Sequence, residues 1–296
     1  MTPQDRRSPT AFGPEQGSTA AVSWSGCTHL GRFRPNNEDA FLMHTFDGRE
    51  VHHLGKVGEA PLATADFVFA VSDGMGGARS GEFASRFAAD RITRLFYRSF
   101  RLSPDRMEQG YAEILTELFT SIHVDLLKLG YSYPECAGMG TTLSLCWFSR
   151  TRAYFGHIGD SRIYHLPATG PLVQVTHDHS HVGWLRRKGE INEREARMHP
   201  RRNALEQALG AGHQFVEPQI GVLEWRPGDR FLVCSDGVVD GLWDRRIEEL
   251  LRNFPAGDGK ANLAEQVVNE AVSESGRDNA TAVVIEVQDC GAPPCA

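Results

Sequence analysis

The sequence predicts an α+β fold in which antiparallel strands and helices occupy separate blocks of the chain. Residues 81–100 and 111–129 carry apolar side chains at steps of three and four, the period of an amphipathic helix. Residues 141–176 consist of short apolar runs joined by tight turns, a pattern typical of an antiparallel meander. Strand blocks followed by helix pairs indicate helices that pack outside antiparallel sheets.

The boundaries of these elements follow from turn and cap residues. The run DFVFAV, residues 66–71, predicts a buried strand before the first helix. The second helix is expected to end at Gly130, because glycine tolerates the left-handed backbone that follows many helices. Hairpin turns at 149–152, 159–162 and 167–170 are expected to join the strands of the meander.

The second half of the chain returns to helices and then to a last strand. Residues 181–215 are charged and weakly amphipathic, which predicts an insertion with one or two short helices; such segments often gate or select substrates. The run RFLVC before Ser235 predicts a buried strand. Residues 247–254 and 261–272 are expected to be helical, and residues 281–287 to form the closing strand.

Composition favours one globular domain. The chain has 296 residues, 41% of them hydrophobic, which is enough for one large core, and no linker divides it. We expect the domain at 21–288, between a disordered N-terminal tail, 1–20, and a C-terminal tail, 289–296. No apolar stretch approaches the ~20 residues that span a bilayer, and the cysteines form no CxxC pair. We therefore expect a cytoplasmic protein with reduced thiols and no membrane insertion.

Charge argues against nucleic acid as a partner, because the formal net charge is -7 and phosphate binding depends on Lys and Arg. A local basic cluster lies in the predicted insertion. It is interpreted with even weight as a solvated helix face or as a docking surface for a phosphorylated partner. Its members are Arg186, Arg187, Lys188, Arg194, Arg197, Arg201 and Arg202.

Three acidic segments far apart in the chain indicate one divalent-metal site. Asp73 lies in SDGMGG, Asp236 in SDGVVDG and Asp278 in GRDNAT, each next to an apolar run that predicts a strand. Mg²⁺ and Mn²⁺ prefer carboxylates, carbonyls and waters as ligands, and the glycines after Asp73 allow the Gly74 carbonyl to face a metal. Each Asp-Gly pair alone is an ordinary turn signal.

Taken together, the motifs are specific. Arg34 precedes Glu38 and Asp39 in RPNNED, and SDGMGG, MGTT, GDSR, SDG and GRDN follow in that order. This series resembles the PPM family of metal-dependent serine/threonine protein phosphatases, the 2C class, and is most similar to its bacterial branch over about residues 22–288. The resemblance implies a four-layer α-β-β-α sandwich in which two antiparallel sheets pack face to face between helix pairs.

The resemblance also implies metal ligands and a reaction. Asp73 would bridge two cations, Gly74 would offer its carbonyl to one of them, and Asp236 and Asp278 would be the other terminal ligands. The implied cofactors are two tightly bound Mn²⁺ or Mg²⁺ ions and a weaker third ion. The implied reaction is hydrolysis of phosphoserine and phosphothreonine by a hydroxide that bridges the two cations and attacks phosphorus in line.

Further residues match the resembled family around these ligands. Glu38 and Asp39 would hold metal-bound waters, and Asn279 would contact a water or the phosphate. Arg34 would bind the substrate phosphate, for which a planar guanidinium is better suited than a lysine ammonium. Met75 stands where many animal relatives have a histidine proposed as the acid, which leaves a metal-bound water as a candidate proton donor.

Asp160 in GDSR has two interpretations. As a turn residue it would cap a hairpin between strands 153–158 and 163–166. In the resembled family the matching carboxylate helps to hold the third, weaker cation, and Asp240 is a second candidate for the same surroundings. The metal role is favoured, because a weakly held cation could supply the acidic water that Met75 cannot.

Other functions were weighed against this one. His177, His179 and His181 alternate along one segment, but HExxH is absent and residue 181 is not the Asp of an HxHxDH site, which disfavours zinc. No cysteine precedes a phosphate loop that ends in Arg, which disfavours a cysteine phosphatase. A small-molecule phosphatase and a non-catalytic phosphoprotein-binding module on the same fold remain as alternatives. The expected partners are phosphorylated proteins, namely a serine/threonine kinase and its substrates.

Overall fold

Strands and helices follow one another largely in the predicted blocks. The computed structural model describes residues 20–47, 50–77, 80–99, 107–254 and 262–289. The strands are β1 (Ala20–His29), β2 (Asp39–Phe46), β3 (Val51–His53), β4 (Val57–Pro61), β5 (Asp66–Met75), β6 (Gly140–Thr141), β7 (Leu143–Phe148), β8 (Arg152–Ile158), β9 (Arg162–Leu166), β10 (Val173–Gln174), β11 (Leu209–Gly210), β12 (Gln219–Glu224), β13 (Arg230–Cys234) and β14 (Ala280–Asp289). The α-helices are α1 (Ser80–Ser99), α2 (Met107–Ser132), α3 (His181–Arg187), α4 (Glu193–Met198), α5 (Asp236–Gly241), α6 (Asp244–Asn253) and α7 (Leu263–Glu274).

The described strands form two antiparallel sheets. One sheet has the order β10-β9-β13-β14-β1-β4. In the other sheet β5 pairs with β2 and β7, β3 lies outside β2, and β8 and β12 follow β7. The two-residue strands β6 and β11 extend this second sheet beside the C-terminal end of β5.

Three hydrophobic clusters separate four layers. Helices α1 and α2 cover the sheet that contains β5, through side chains such as Ile92 and Leu118. Helices α5, α6 and α7 cover the other sheet, through side chains such as Leu251 and Val267. A third, aromatic-rich cluster that includes Phe231 lies between the two sheets. The four-layer α-β-β-α sandwich implied by the family resemblance is therefore confirmed.

Strand register brings the predicted site residues to one end of the sheets. Asp39 in β2 lies directly opposite Asp73 in β5. The last residue of β1, His29, pairs with Ala280, so the loop that follows β1 begins beside Asp278. Strand β13 ends at Cys234 opposite Ala282, which places Asp236 close to the start of β14.

The prediction that Gly130 ends the second helix is wrong, because α2 continues to Ser132. Gly130 is explained instead by a close contact. A Cβ at this position would lie 3.2 Å from the carbonyl oxygen of Cys136, in the 3₁₀ turn Pro134–Cys136 that follows α2. The glycine makes room for the returning chain rather than for a change of backbone handedness.

The predicted meander is wrong at its central turn. Strands β7 and β8 pair with each other in one sheet, but β9 pairs with β13 and β10 in the other. Residues 159–161 therefore cross between sheets and close no hairpin. Gly159 has a φ of 110°, and a Cβ there would lie 2.5 Å from the Thr142 side chain. A tight hairpin and a tight crossing both favour glycine, so sequence pattern alone does not separate them.

The domain extends one residue further at each end than predicted. Ala20 is the buried first residue of β1, Asp289 is the last residue of β14, and the two are paired. Neither belongs to a tail. The remaining residues of the predicted tails, 1–19 and 290–296, lie outside the described residues.

The cysteines in the described ranges are free thiols, as the spacing predicts. Cys146 and Cys234 are buried, whereas Cys27 and Cys136 are half-buried. Among the helices of the described ranges, none is both long enough and apolar enough to cross a membrane.

Substitution of Phe231 tests the core between the sheets. Phe231 is fully buried and meets the edge of the Phe148 ring at a centroid distance of 5.0 Å. We expect Phe231→Ala to lower the free energy of unfolding by about 3–5 kcal/mol, because the lost side chain leaves a cavity. Urea denaturation measures this loss. Phe215→Ala is the control, since Phe215 is 80% exposed and its loss should change stability by no more than about 0.5 kcal/mol. Equal losses would contradict the packing described.

Candidate metal centre

The backbone of Asp73 is held by two neighbouring threonines. The Asp73 N–H donates to Thr142 Oγ1 at 3.1 Å, and the Asp73 carbonyl accepts from Thr141 Oγ1 and from the Thr142 N–H, both at 2.8 Å. These threonines belong to the MGTT motif. The motif thus fixes the end of β5 and leaves the Asp73 carboxylate for other partners.

Glycines allow α1 to approach the end of β5 very closely. A Cβ on Gly74 would lie 2.0 Å from the carbonyl oxygen of Gly81, and a Cβ on Gly81 would lie 2.1 Å from Glu38 Oε2. The Gly74 N–H also donates to the Glu38 carbonyl at 3.2 Å. Strand end, helix start and the Glu38 side chain therefore meet beside the predicted carbonyl ligand Gly74.

Asp39 is a buried carboxylate fixed by a serine from the other sheet. Ser235 Oγ donates to Asp39 Oδ2 at 2.7 Å and accepts from the Thr281 N–H at 3.0 Å. Burial raises the pKa of Asp39 to about 6, against the lowering effect of the hydroxyl groups of Thr281 and Ser235. One hydroxyl therefore joins β2, β13 and β14 at the site.

Asp73 and Asp236 are carboxylates with too little compensating charge. Loss of solvent raises the pKa of each well above its ordinary value. The charges of Asp39 and Asp236 raise the pKa of Asp73 further. The charges of Asp160 and Asp278 do the same to the pKa of Asp236. Both residues are partly buried by surface area, and loss of solvent is the largest cause of the raised pKa of each. Asp236 stands at the start of α5, directly after β13.

Asp278 lies beside the predicted phosphate-binding residue. Arg34 Nη2 donates to Asp278 Oδ2 at 2.5 Å, and the Asn279 N–H donates to Asp278 Oδ1 at 2.8 Å. The Arg34 side chain remains 47% exposed. The structure thus brings Arg34 to the same strand ends as the three predicted aspartate ligands.

The residues present suit a hard divalent cation. Oδ1 of Asp39 and Oδ1 of Asp236 are buried oxygen atoms with no hydrogen-bond partner among the described residues. Carboxylate oxygens only accept, so a cation is the partner that such crowded oxygens lack. Within the described ranges, no three His, Cys, Asp or Glu side chains form a ready-made metal cluster. Neighbouring carboxylates raise the pKa of Asp73 and of Asp236, and a bound cation would offset this repulsion.

Asn279 has a role that the sequence did not reveal. Its side-chain Nδ2 donates to the carbonyls of Leu30 and Asn36 at 2.8 and 3.0 Å, and its Oδ1 accepts from the Glu38 N–H at 2.8 Å. The amide therefore anchors the loop between β1 and β2. Asn279 is predicted to contact a water or the phosphate, but both polar atoms of its side chain already form hydrogen bonds to the loop backbone.

Asp160 lies at the crossing between the sheets, not in a hairpin, so the hairpin-capping interpretation is wrong. It lines one groove together with Asp236 and Asp240, beside residues 178–203. Burial and the charge of Asp178 raise the pKa of Asp160 to about 7. The two candidates for a weaker cation, Asp160 and Asp240, are thus brought to the same groove as the predicted ligand Asp236.

The predicted insertion contains the two short helices α3 and α4, and its basic cluster is divided. Arg197 is packed inward: it donates to the Leu242 carbonyl at 2.5 Å and lies over the Trp243 ring at 4.0 Å. Arg186 pairs with Asp244 at 3.4 Å. The cluster residues that remain exposed are Arg187, Lys188, Arg194 and Arg201. Neither the solvated face nor the docking surface therefore describes the whole cluster.

A buried polar chain connects the segment just before this insertion to the Asp73 scaffold. His157 Nε2 donates to the His177 carbonyl at 3.2 Å, and His157 Nδ1 lies 2.8 Å from Ser144 Oγ. Ser161 Oγ in turn lies 3.0 Å from Ser144 Oγ and from Thr142 Oγ1. Burial lowers the pKa of His157 to about 3, so the imidazole is neutral. Sequence reasoning missed this chain, whose only signal was the hydroxyl content of MGTT and GDSR.

Comparisons with known proteins agree with this geometry. The sequence profile of the family described as Protein phosphatase 2C matches residues 60–272. Serine/threonine protein phosphatase PstP of Mycobacterium tuberculosis is 36% identical over 225 residues, which are 75% of this chain and 40% of PstP. Serine/threonine phosphatase stp of Listeria monocytogenes is 32% identical over 217 residues, 73% of this chain and 82% of that protein. The chain thus spans well under half the length of PstP.

One similar solved structure contains metal ions. The catalytic domain of serine threonine protein phosphatase PstP, in complex with 2 manganese ions, aligns with a TM-score of 0.68 and 30% identity. The alignment covers 91% of this chain and 100% of that one.

Asp73→Asn separates the electrostatic cost of the site from its metal binding. Asparagine keeps the shape but removes one of several repelling charges, so we expect the melting temperature in EDTA to rise by about 2–4 °C. The same change should abolish the rise that Mn²⁺ produces in the wild-type protein. Differential scanning calorimetry with EDTA and with Mn²⁺ measures both.

The control for this substitution is a compensated aspartate. Asp125 on α2 pairs with Arg91 and Lys128, so Asp125→Asn should lower the melting temperature and leave the Mn²⁺ response intact. A lower melting temperature of Asp73→Asn in EDTA, with a preserved Mn²⁺ response, would contradict the proposed ligand role.

Proposed function

Because the chain belongs to the protein phosphatase 2C family, we propose that it is a metal-dependent enzyme that hydrolyses phosphoserine and phosphothreonine monoesters in proteins. The observation that carries this proposal is the gathering of Asp73, Asp236 and Asp278 at one end of two sheets, with Arg34 paired to Asp278. Crowded carboxylates with a neighbouring guanidinium suit a site that binds cations and a phosphate together.

The ligand assignment is the one that the family resemblance implies. Asp73 would contact two cations, the Gly74 carbonyl would complete one ligand set, and Asp236 and Asp278 would complete the other. The donors are all oxygen atoms, which suit Mn²⁺ or Mg²⁺ better than zinc. When bound, such cations would neutralise charge on the phosphoryl oxygens and activate water for attack.

The chain's own residues would hold the substrate and the ligands in place. A guanidinium has five N–H donors, so the contact of Arg34 with Asp278 leaves donors for phosphate oxygens. Ser235 and the register opposite Asp73 keep Asp39 beside the ligands, where it would bind waters together with Glu38. Asp160 would hold a third, weaker cation, with Asp240 in the same groove.

The expected substrates are phosphorylated proteins, including a serine/threonine kinase and the targets of that kinase. The relatives named above are serine/threonine phosphatases. The groove that α3 and α4 border adjoins Asp160 and Asp236, so the insertion would contact the peptide that carries the phosphate. Free thiols at the described cysteines fit action in a reducing cytoplasm.

The retained carboxylates disfavour a non-catalytic binding module. A protein that only binds phosphoproteins has no need of crowded, repelling aspartates that reduce its own stability. A guanidinium that pairs with phosphate would help such a module to bind phosphoproteins. The oxygens of Asp39 and Asp236 that lack partners would not help it to do so.

Metal dependence tests the proposed activity. After treatment with EDTA, the protein should release phosphate from phosphoserine and phosphothreonine peptides about a hundredfold more slowly, and Mn²⁺ or Mg²⁺ should restore the rate. Zinc should restore little, because the ligands are hard and suit six-coordination. Undiminished hydrolysis after extensive chelation would refute the proposal. Comparison with p-nitrophenyl phosphate tests the small-molecule alternative, which would favour that substrate over the peptides.

Arg34→Lys tests the phosphate contact. Lysine keeps the charge but loses the planar fork, so we expect KM for phosphopeptides to rise about tenfold, with a smaller change in kcat. Steady-state kinetics measure both. Arg150→Lys is the control, because Arg150 follows the far end of β7 and donates to the Ala63 carbonyl. Unchanged KM and kcat in Arg34→Lys would show that Arg34 is not the phosphate-binding residue.

A further inference from the structure

Phe33 is a large apolar side chain that the fold holds out in solvent next to Arg34. It is 73% exposed. The arginines on either side both turn back to the protein: Arg32 Nη2 donates to the Ser273 carbonyl at 2.9 Å, and Arg34 contacts Asp278. Phe33 is therefore the residue of this tripeptide whose side chain faces away from the domain.

The loop that carries Phe33 is fastened on both sides of it. Before Phe33, the Arg32 N–H donates to the Gly276 carbonyl at 2.7 Å. A Cβ on Gly31, whose φ is 83°, would lie 2.3 Å from the Asp278 carbonyl oxygen. After Phe33, the Asn36 carbonyl accepts from Asn279 at 3.0 Å. These contacts tie the loop to the residues that precede β14, so the backbone that carries the exposed ring is fixed by the fold.

An aromatic ring on an ordered loop is an effective binding contact. Phenylalanine has few rotatable bonds whose freedom is lost on binding, and the loop is already ordered. Little conformational entropy therefore opposes burial of the ring. Consecutive Cα atoms are about 3.8 Å apart, and an extended peptide advances about 3.3 Å per residue. If Arg34 binds the phosphate, a ring on the adjacent residue of the same loop would meet the near neighbours of the phosphorylated residue.

We propose that Phe33 determines specificity by binding an aliphatic side chain within two residues of the phosphorylated serine or threonine. The inference rests on the proposed function, in which Arg34 binds the phosphate. Positive charges on Arg32 and Arg34 flank the ring, so a basic substrate residue would be repelled. An acidic residue would be drawn to these guanidinium groups and not to the ring. An aliphatic residue is the one that gains from burial against the ring itself.

The experiment uses phosphothreonine peptides with glycine at all four nearest positions, and a set in which a single leucine replaces one glycine. With Mn²⁺ and the full chain, at least one leucine position should raise kcat/KM about tenfold over the all-glycine peptide. Phe33→Ala should reduce that gain to less than about twofold. Phe33→Leu should retain most of it, because an apolar side chain remains on the same ordered loop.

The matched control is Phe215→Ala, since Phe215 is equally large and 80% exposed but lies before β12. This variant should keep the full leucine gain. Absence of any leucine gain, or a gain that survives in Phe33→Ala, would overturn the role of Phe33 while leaving the proposed phosphatase activity in place. Failure of the wild-type protein to hydrolyse any of these phosphopeptides would overturn both. A change in sedimentation coefficient on Phe33→Ala, with an unchanged leucine gain, would assign Phe33 to contact between copies of the chain instead.

Discussion

Repulsion among carboxylates at one end of the two sheets is the constraint on which the rest of this structure depends. Asp39, Asp73, Asp160 and Asp236 all have pKa values raised by loss of solvent and by neighbouring carboxylates. A fold selected only for stability would disperse such charges or pair each with a base. Here Arg34 contacts Asp278, and oxygens of Asp39 and Asp236 are left without partners in the described chain. This repulsion has a functional consequence, because divalent cations would be favourable partners for these oxygens.

The surrounding scaffold holds these aspartates without neutralising them. Thr141 and Thr142 bind the backbone of Asp73, and Ser235 joins Asp39 to Thr281 across three strands. Hydroxyl and amide groups donate and accept without carrying charge, so they fix geometry and leave the negative potential intact. Lysine or arginine in their place would bind the carboxylates directly and compete with a cation. The scaffold around these aspartates is thus polar but uncharged, which suits a site that would hold cations.

The crossing at 159–161 links this centre to the groove beside the insertion. Asp160 stands in the crossing, and Arg162 just after it binds Asp178 at two points, 2.9 and 2.7 Å. Tyr164 extends the same network to Asp244 at 2.8 Å. The base of the insertion and the start of α6 are therefore fastened to the strand that leaves the metal centre. Residues that would hold a weaker cation and residues that would face the peptide belong to one rigid framework.

The sequence by itself determined the features that depend on neighbouring residues. Helical periodicity identified α1 and α2, and apolar runs identified most strands. Three acidic motifs marked strand ends, because each lies next to an apolar run. Only the tertiary structure decided that β9 leaves the sheet of β8, that Gly130 lies within a helix, and that Asn279 anchors a loop about 250 residues earlier in the chain. It also decided that Phe33 faces solvent beside Arg34. Except for Gly130, whose close contact is with nearby Cys136, these features depend on contacts between segments that are remote in sequence. Local periodicity carries no information about which remote segments will meet.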